Sequence, residues 1–131
     1  MVRKLTFGFA ALFAIVVAMG YVPSFITADG PDRLMFGLFQ ISLLDDITHG
    51  ITALAALVAS LTSRALSLLF LTAFGSYYAL DATFFLTYGL FNDKPWLADI
   101  MLNLPHVGIA TAMLGIVYLL APRLDASHGV A

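Results

Sequence analysis

The sequence predicts an all-α integral membrane protein: a four-helix bundle built from two repeated transmembrane hairpins. Three observations carry that expectation. Of the 131 residues, 61% are hydrophobic and 11% charged, with a mean hydropathy of +0.96, which leaves too few polar side chains to cover a domain in water. Four apolar stretches each approach the ~20 residues needed to cross a hydrocarbon core of ~30 Å. The chain also repeats itself: Asp46-Ile47-Thr48-His49 and Asn103-Leu104-Pro105-His106 place their histidines 57 residues apart (106 − 49). The same offset aligns Leu12-Phe13 with Leu69-Phe70, Tyr21 with Tyr78, Ala53 with Ala110, Ala55 with Ala112 and Leu57 with Leu114.

The first span is read at Leu5–Phe25. Arg3-Lys4 ahead of an apolar run also has the look of a signal peptide, with Ala28 as a weak cleavage residue. Its pairing with the third span in the repeat argues for a retained helix. Thr27–Arg33, rich in Asp, Gly and Pro, reads as a polar loop. The second span, Ile41–Leu61, opens near Asp45 and Asp46, residues that cap exposed N–H groups and suit the positive end of a helix dipole. Thr62-Ser63-Arg64 is a short turn into the third span, Ala65–Leu86. Asn92-Asp93-Lys94-Pro95 marks another loop, and the fourth span, Leu97–Leu120, again starts beside an acid, Asp99. No linker is long enough to separate domains, so residues 1–131 read as one.

Charge sets the expected orientation. Arg3, Lys4, Arg64 and Arg123 fall on one side, against Arg33 and Lys94 on the other, and the positive-inside bias assigns the first group and both termini to the cytoplasm. The expected location is the cell membrane, crossed several times. Asp29, Asp32, Asp45, Asp46, Asp93 and Asp99 then gather toward the outer side, with Asp125 inside. Two spans per repeat make the halves parallel, related by an axis along the membrane normal. With no cysteine there is no disulfide framework and no thiolate metal site. A formal net charge of −2 points to no nucleic-acid partner.

The polar residues converge. His49 and His106 each lie about two turns into their helices, some ~10 Å below the outer interface. Asp81 climbs about 16 residues, or ~24 Å, from the other side to reach that level. Asp46 stands three residues before His49, Asn103 three before His106 and Asp99 four before Asn103, so each set shares a helix face. Asp46, His49, Asp81, Asn103 and His106 are therefore the expected buried cluster near the outer leaflet. An ionisable side chain left in lipid costs ~2.5–3.5 kcal/mol on insertion scales, so these residues should face protein or water.

Their chemistry stays open at this level. Asp81 either hydrogen-bonds His49, His106, Tyr77 or Tyr78 and fixes the register of the bundle, or acts as a protonatable site or metal ligand. Two imidazoles at equal depth can ligate one haem iron, with Gly50 and Gly108 leaving room for a flat ring. Alternatively His49, His106 and Asp81 form a divalent zinc or copper site, with Asp46 and Asn103 holding the imidazole tautomers. The third reading has each histidine simply hydrogen-bonded to the Asp or Asn one turn before it. His128, in the polar tail, reads as solvated.

Ala10, Ala14 and Ala18 form a ridge of small residues suited to close helix contact. Phe84-Phe85, Tyr88, Phe91 and Trp96 read as an aromatic belt at the outer interface. Pro23 and Pro105 sit toward the outer ends. No phosphate loop, nucleophile elbow or HExxH sequence is present, and no serine has a His–Asp arrangement at workable spacing, so an enzyme is not expected.

Two hairpins whose second helices open polar-x-x-His, at Asp46 to His49 and Asn103 to His106, resemble the small four-span bacterial proteins grouped as domain of unknown function 4383. The resemblance covers nearly the whole chain and implies a fold and paired polar helix starts, with no activity. The halves are unequal, since Asp81 has only Ser24 as its counterpart. The expected function is a small accessory or assembly component of a membrane complex, its partners being the bilayer and a second copy or a larger assembly. The alternatives are a metal- or haem-binding protein using His49 and His106, and a proton- or ion-conducting protein using Asp81.

Overall fold

Helices close their backbone hydrogen bonds segment by segment, which is what an apolar chain requires where water cannot substitute. The computed structural model describes residues 1–27, 33–91 and 96–128, and 85% of these are helical. In chain order these are α1 (Val2–Met19), a 3-10 turn (Pro23–Phe25), β1 (Arg33–Met35), β2 (Phe39–Ile41), α2 (Leu43–Thr62), α3 (Arg64–Phe91), α4 (Trp96–Gly115), a π-helical turn (Ile116–Leu120) and α5 (Ala121–His128). Among the described residues, four helical stretches are long and apolar enough to cross a membrane: Val2–Met19, Leu43–Thr62, Arg64–Tyr88 and Asn103–Ala126. The expected loop at Asn92–Pro95, and Ala28–Asp32 of the one at Thr27–Arg33, lie outside the described residues.

The chain divides into two units, Arg3–Ser67 and Leu68–Ala131. In the first, α1 and α2 run antiparallel and are tied at one end by Arg3. Its Nε donates to the carbonyl of Ser60 and its Nη2 to that of Leu61, both at 2.7 Å. These carbonyls belong to the last turn of α2, where a helix leaves acceptors unpaired and its dipole favours a cation. Thr52, Ala56, Ala59 and Ser60 form the buried face of α2, while Leu43, Leu44, Ile47, Ile51, Leu54 and Val58 are exposed. From α1, Ala10 and Phe13 are buried, whereas Ala14 and Ala18, the rest of the small-residue ridge, are exposed.

The start of α2 is set by Ser42. Its Oγ accepts the N–H of Asp45 at 3.3 Å, and the Asp45 carboxylate accepts the N–H of Ser42 at 2.8 Å, a reciprocal capping box. At the far end, the expected three-residue turn contracts to the single extended residue Ser63. Its Oγ accepts the N–H of Leu66 at 3.1 Å. The buried Ser67 hydroxyl lies 2.9 Å from the Ser63 carbonyl and 3.1 Å from that of Ala59.

Between α1 and α2 the chain forms an antiparallel hairpin that the sequence reading does not anticipate. Arg33 pairs with Ile41, Leu34 with Gln40 and Met35 with Phe39. The Leu38 N–H donates to the Met35 carbonyl at 3.1 Å, and both central turn residues are left-handed, Phe36 at φ 56° and Gly37 at φ 69°, as a type I′ turn requires. Glycine adopts that conformation freely; for Phe36 it costs ~1–2 kcal/mol. The segment before the hairpin adds to its other edge: the Phe36 N–H donates to Phe25 at 2.8 Å and the Thr27 N–H to Leu34 at 3.0 Å.

In the second unit α3 and α4 are antiparallel neighbours. Leu71, Tyr78 and Ala82 of α3 and Asn103, Ala110 and Met113 of α4 are buried. The two helices come close at Gly75, where a Cβ would sit 3.0 Å from Leu114 Cγ and Cδ2 and from Met113 Cβ. Pro105 lies inside α4 and removes the hydrogen bond to the carbonyl one turn earlier. Pro122 does the same just beyond the π-helical turn, in which the Ala121 N–H reaches back five residues to Ile116. The wider turn accommodates the proline ring, and the helix runs on through α5 rather than stopping at Leu120. Threonine hydroxyls along the helices donate to the carbonyl four residues back, as at Thr48, Thr52, Thr72 and Thr83, so none of these presents an unpaired hydroxyl to an apolar surrounding.

Gly75→Ala is expected to lower stability in detergent by about 1–3 kcal/mol through overpacking. A methyl group added at Gly50 would meet nothing within 4 Å, so Gly50→Ala should be neutral or stabilising by up to about 1 kcal/mol. Thermal unfolding of the two variants side by side checks the contrast.

Candidate functional site

The polar side chains of the first unit gather at the loop end of α1 and α2. Arg33, the first residue of β1, is aimed back at the helices. Its Nη2 donates to Asp46 Oδ2 at 2.5 Å and its Nη1 to the Gly20 carbonyl at 2.8 Å. The Tyr21 hydroxyl donates to the same Asp46 oxygen at 2.8 Å, and the guanidinium carbon lies 4.9 Å from the Tyr21 ring centroid. One cation thus links the end of α1, the aromatic residue that follows it, and the first turns of α2. Gly20 permits the approach: a Cβ there would meet Ile41 Cδ1 at 3.1 Å.

Asp46 is nearly buried and Arg33 partly so, at 9% and 23% side-chain exposure. That excludes the weak, fully solvated kind of ion pair. The hydrogen bond to Asp46, reinforced by its charge, outweighs partial desolvation and raises the Arg33 pKa above the usual guanidinium range. A raised folded-state value means the contribution is complete below that range and lost only as pH climbs through it. Across working pH Arg33 is a fixed cation.

Asp46 faces this node and not His49, although the two share a helix face. His49 Nδ1 lies 2.8 Å from the Asp45 carbonyl. A carbonyl only accepts, so Nδ1 carries the proton and the lone pair of neutral His49 sits on Nε2. Its ring lies 5.9 Å from that of Phe13. Of the readings for His49, a hydrogen bond one turn back is present, made to backbone and not to the Asp46 carboxylate.

The second unit holds a separate pair. His106 Nδ1 lies 2.9 Å from Asp81 Oδ2, with side chains 30% and 20% exposed. Nδ1 itself is out of solvent, and the approach lacks the direction of a good hydrogen bond, so the contact is chiefly electrostatic. The Tyr78 ring is 5.4 Å from that of His106. Asn103 is buried on the same helix. Ala82 and Val107, the residues after Asp81 and His106, help line a groove of ≈ 220 Å³ with Ala79, Thr83, Ala110 and Thr111.

The structure therefore joins Asp81 to His106, and Asp46 to Arg33 and Tyr21. Within each unit, among the described residues, no three His, Asp or Glu side chains are grouped to hold a metal ion. Gly108 is exposed and, like Gly50, has nothing within 4 Å of its Cβ position. The side chains of Asp99, Trp96, Phe91 and His128, named in the sequence reading, lie outside the described residues; Phe84, Phe85 and Tyr88 of the aromatic belt are exposed. Sequence reasoning missed Arg33 and Tyr21 as site residues. The available signal was that Tyr21, Arg33 and Asp46 bracket the loop between two apolar helices, with Arg33 the one cation in that stretch of sequence. Comparison with protein-family models, with curated proteins and with solved structures finds no match for the chain.

Asp46→Ala and Arg33→Ala should each lower stability, because removing one member leaves its partner without its bond. The double variant should lose less than the two added together. Unfolding of the four proteins in one detergent measures that coupling.

Proposed function

We infer that this is an integral membrane protein whose four long helices cross the bilayer, and that it serves as a small accessory or assembly component of a membrane complex. The observation that carries this reading is how little of each helix the chain covers itself: only 17–28% of each candidate span is buried. Leu, Ile, Val and Phe side chains left uncovered over four helices are incompatible with water and call for lipid and partner surface. The basic residues support cytoplasmic termini, and the 57-residue offset supports a duplicated hairpin. The polar residues serve internal closure: Arg3 and Arg33 close the ends of one hairpin, and Asp81 with His106 joins the helices of the other.

The absence of cysteine makes the topology directly testable. Lys4→Cys should react with a membrane-impermeant maleimide only after cells are permeabilised, and Ser24→Cys, exposed in the turn after α1, before. For the assembly role, gentle extraction of the native membrane should bring down a defined partner in fixed ratio; repeated recovery of the chain alone would count against it.

A second reading rests on the Asp81–His106 contact, since an acid beside an imidazole within an apolar span is a candidate protonatable unit. Asp81→Asn should then abolish acid-driven proton flux in liposomes while the helices stay folded. Equal flux in both proteins would eliminate this role.

A further inference from the structure

The hairpin between α1 and α2 has a composition that neither the fold nor the Arg33 node uses. Leu34 to Phe39 reads Leu-Met-Phe-Gly-Leu-Phe, without one charged or hydrogen-bonding side chain. A hairpin with one face in water alternates apolar and polar residues, and this one does not. Its inner face is accounted for: Met35 and Ile41 are buried, and Arg33 is turned into Asp46. The tip is covered only in part: the Phe36 ring lies 5.3 Å from that of Phe25 yet stays 46% exposed, and Leu38 is 61% exposed.

The turn adds an independent sign. Both central positions demand the left-handed region, where Gly, Asn or Asp are the usual occupants. Gly37 meets the demand, while Phe36 holds it at φ 56° against the preference of its own Cβ. Backbone geometry therefore selects against an aromatic residue at the place where this chain exposes one. In sequence, the exposed apolar residues continue directly into α2, through Leu43, Leu44 and Ile47.

We propose that the hairpin tip is an interfacial anchor: Phe36 and Leu38 enter the boundary between headgroups and acyl chains of the bilayer that α1 and α2 cross. The inference rests on the membrane-spanning reading above. Lipid fits this tip better than a protein partner does. The nearby cation is sequestered by Asp46, and the Thr27 hydroxyl beside Gly37 already donates to the Leu34 carbonyl, so among the described residues no unbonded polar side chain stands at the tip to specify a protein surface. An aromatic and an aliphatic side chain are what the interface accepts. The strand backbone is already bonded on both edges of β1, to β2 and to Phe25 and Thr27, which removes much of the penalty for leaving water.

The test uses the full chain with its one tryptophan removed (Trp96→Phe) and a reporter added as Phe36→Trp, Leu38→Trp or, on the exposed face of α2, Leu54→Trp. Each is reconstituted in phosphatidylcholine liposomes containing acyl-brominated lipid, and iodide is the aqueous quencher. The tip reporters are expected to emit blue-shifted light, lose most of it to brominated lipid and little to iodide. Quenching by iodide alone at the tip, with Leu54→Trp quenched by lipid, would overturn the anchor and leave the spanning helices intact. Lipid quenching at none of the three would overturn both. Tip reporters shielded from both quenchers would replace lipid with a protein contact. If Phe36→Trp fails to fold, Leu38→Trp decides alone.

Discussion

The bond between Arg33 and Asp46 is the contact on which the first unit depends. If α1 and α2 cross a bilayer as proposed, they have no hydrophobic reason to stay together there, because the acyl chains are as apolar as their own side chains. Their association has to come from close packing and from polar bonds that lipid cannot offer. Arg33 supplies these in one place. Its guanidinium holds a carbonyl at the end of α1, a carboxylate at the start of α2, and the ring of Tyr21. Arg3 does the corresponding work at the other end, on the last carbonyls of α2. Both are arginines for a physical reason: a planar fork with several donors serves two acceptors at once, which an ammonium does less well.

The same constraint explains the smaller polar groups. A hydroxyl or imidazole in an apolar helix needs a partner within reach, and the nearest is the backbone one turn earlier. Thr48, Thr52, Thr72 and Thr83 take it, and so does His49. His106 stands at the matching position of the sequence repeat yet contacts Asp81 across to the neighbouring helix. The two histidines thus differ in charge environment despite their shared motif. His49 is a fixed tautomer on a local carbonyl; His106 shares its surroundings with an acid.

Much of this was legible in the sequence. Hydropathy and length located four helices, since the span requirement is set by bilayer thickness and hardly by context. Rise per residue set Asp81 and His106 at a common depth from opposite ends of two antiparallel helices, but depth alone leaves His49, His106, Tyr77 and Tyr78 as partners for Asp81. The failures have equally physical origins. Asp46 was assigned to His49 by helix-face spacing, which says which side a residue is on but not which of two partners wins. A guanidinium at 2.5 Å outweighs an imidazole one turn away. The hairpin was missed because its strands are three residues each and carry no alternation, the one pattern that distinguishes a strand. The helix beyond Leu120 was missed because hydropathy marks where an apolar span ends, not where the helix does, and a π-helical turn carries it past Pro122.

Hydrogen–deuterium exchange of the intact protein in lipid nanodiscs tests the Arg33 closure most directly. If the guanidinium holds the ends of α1 and α2 together, the ladder amides of Arg33–Met35 and Phe39–Ile41 should be protected to a degree approaching that of the first turns of α2, because they open together. Exchange of those amides at the rate of an unstructured loop, beside protected helices, would contradict it.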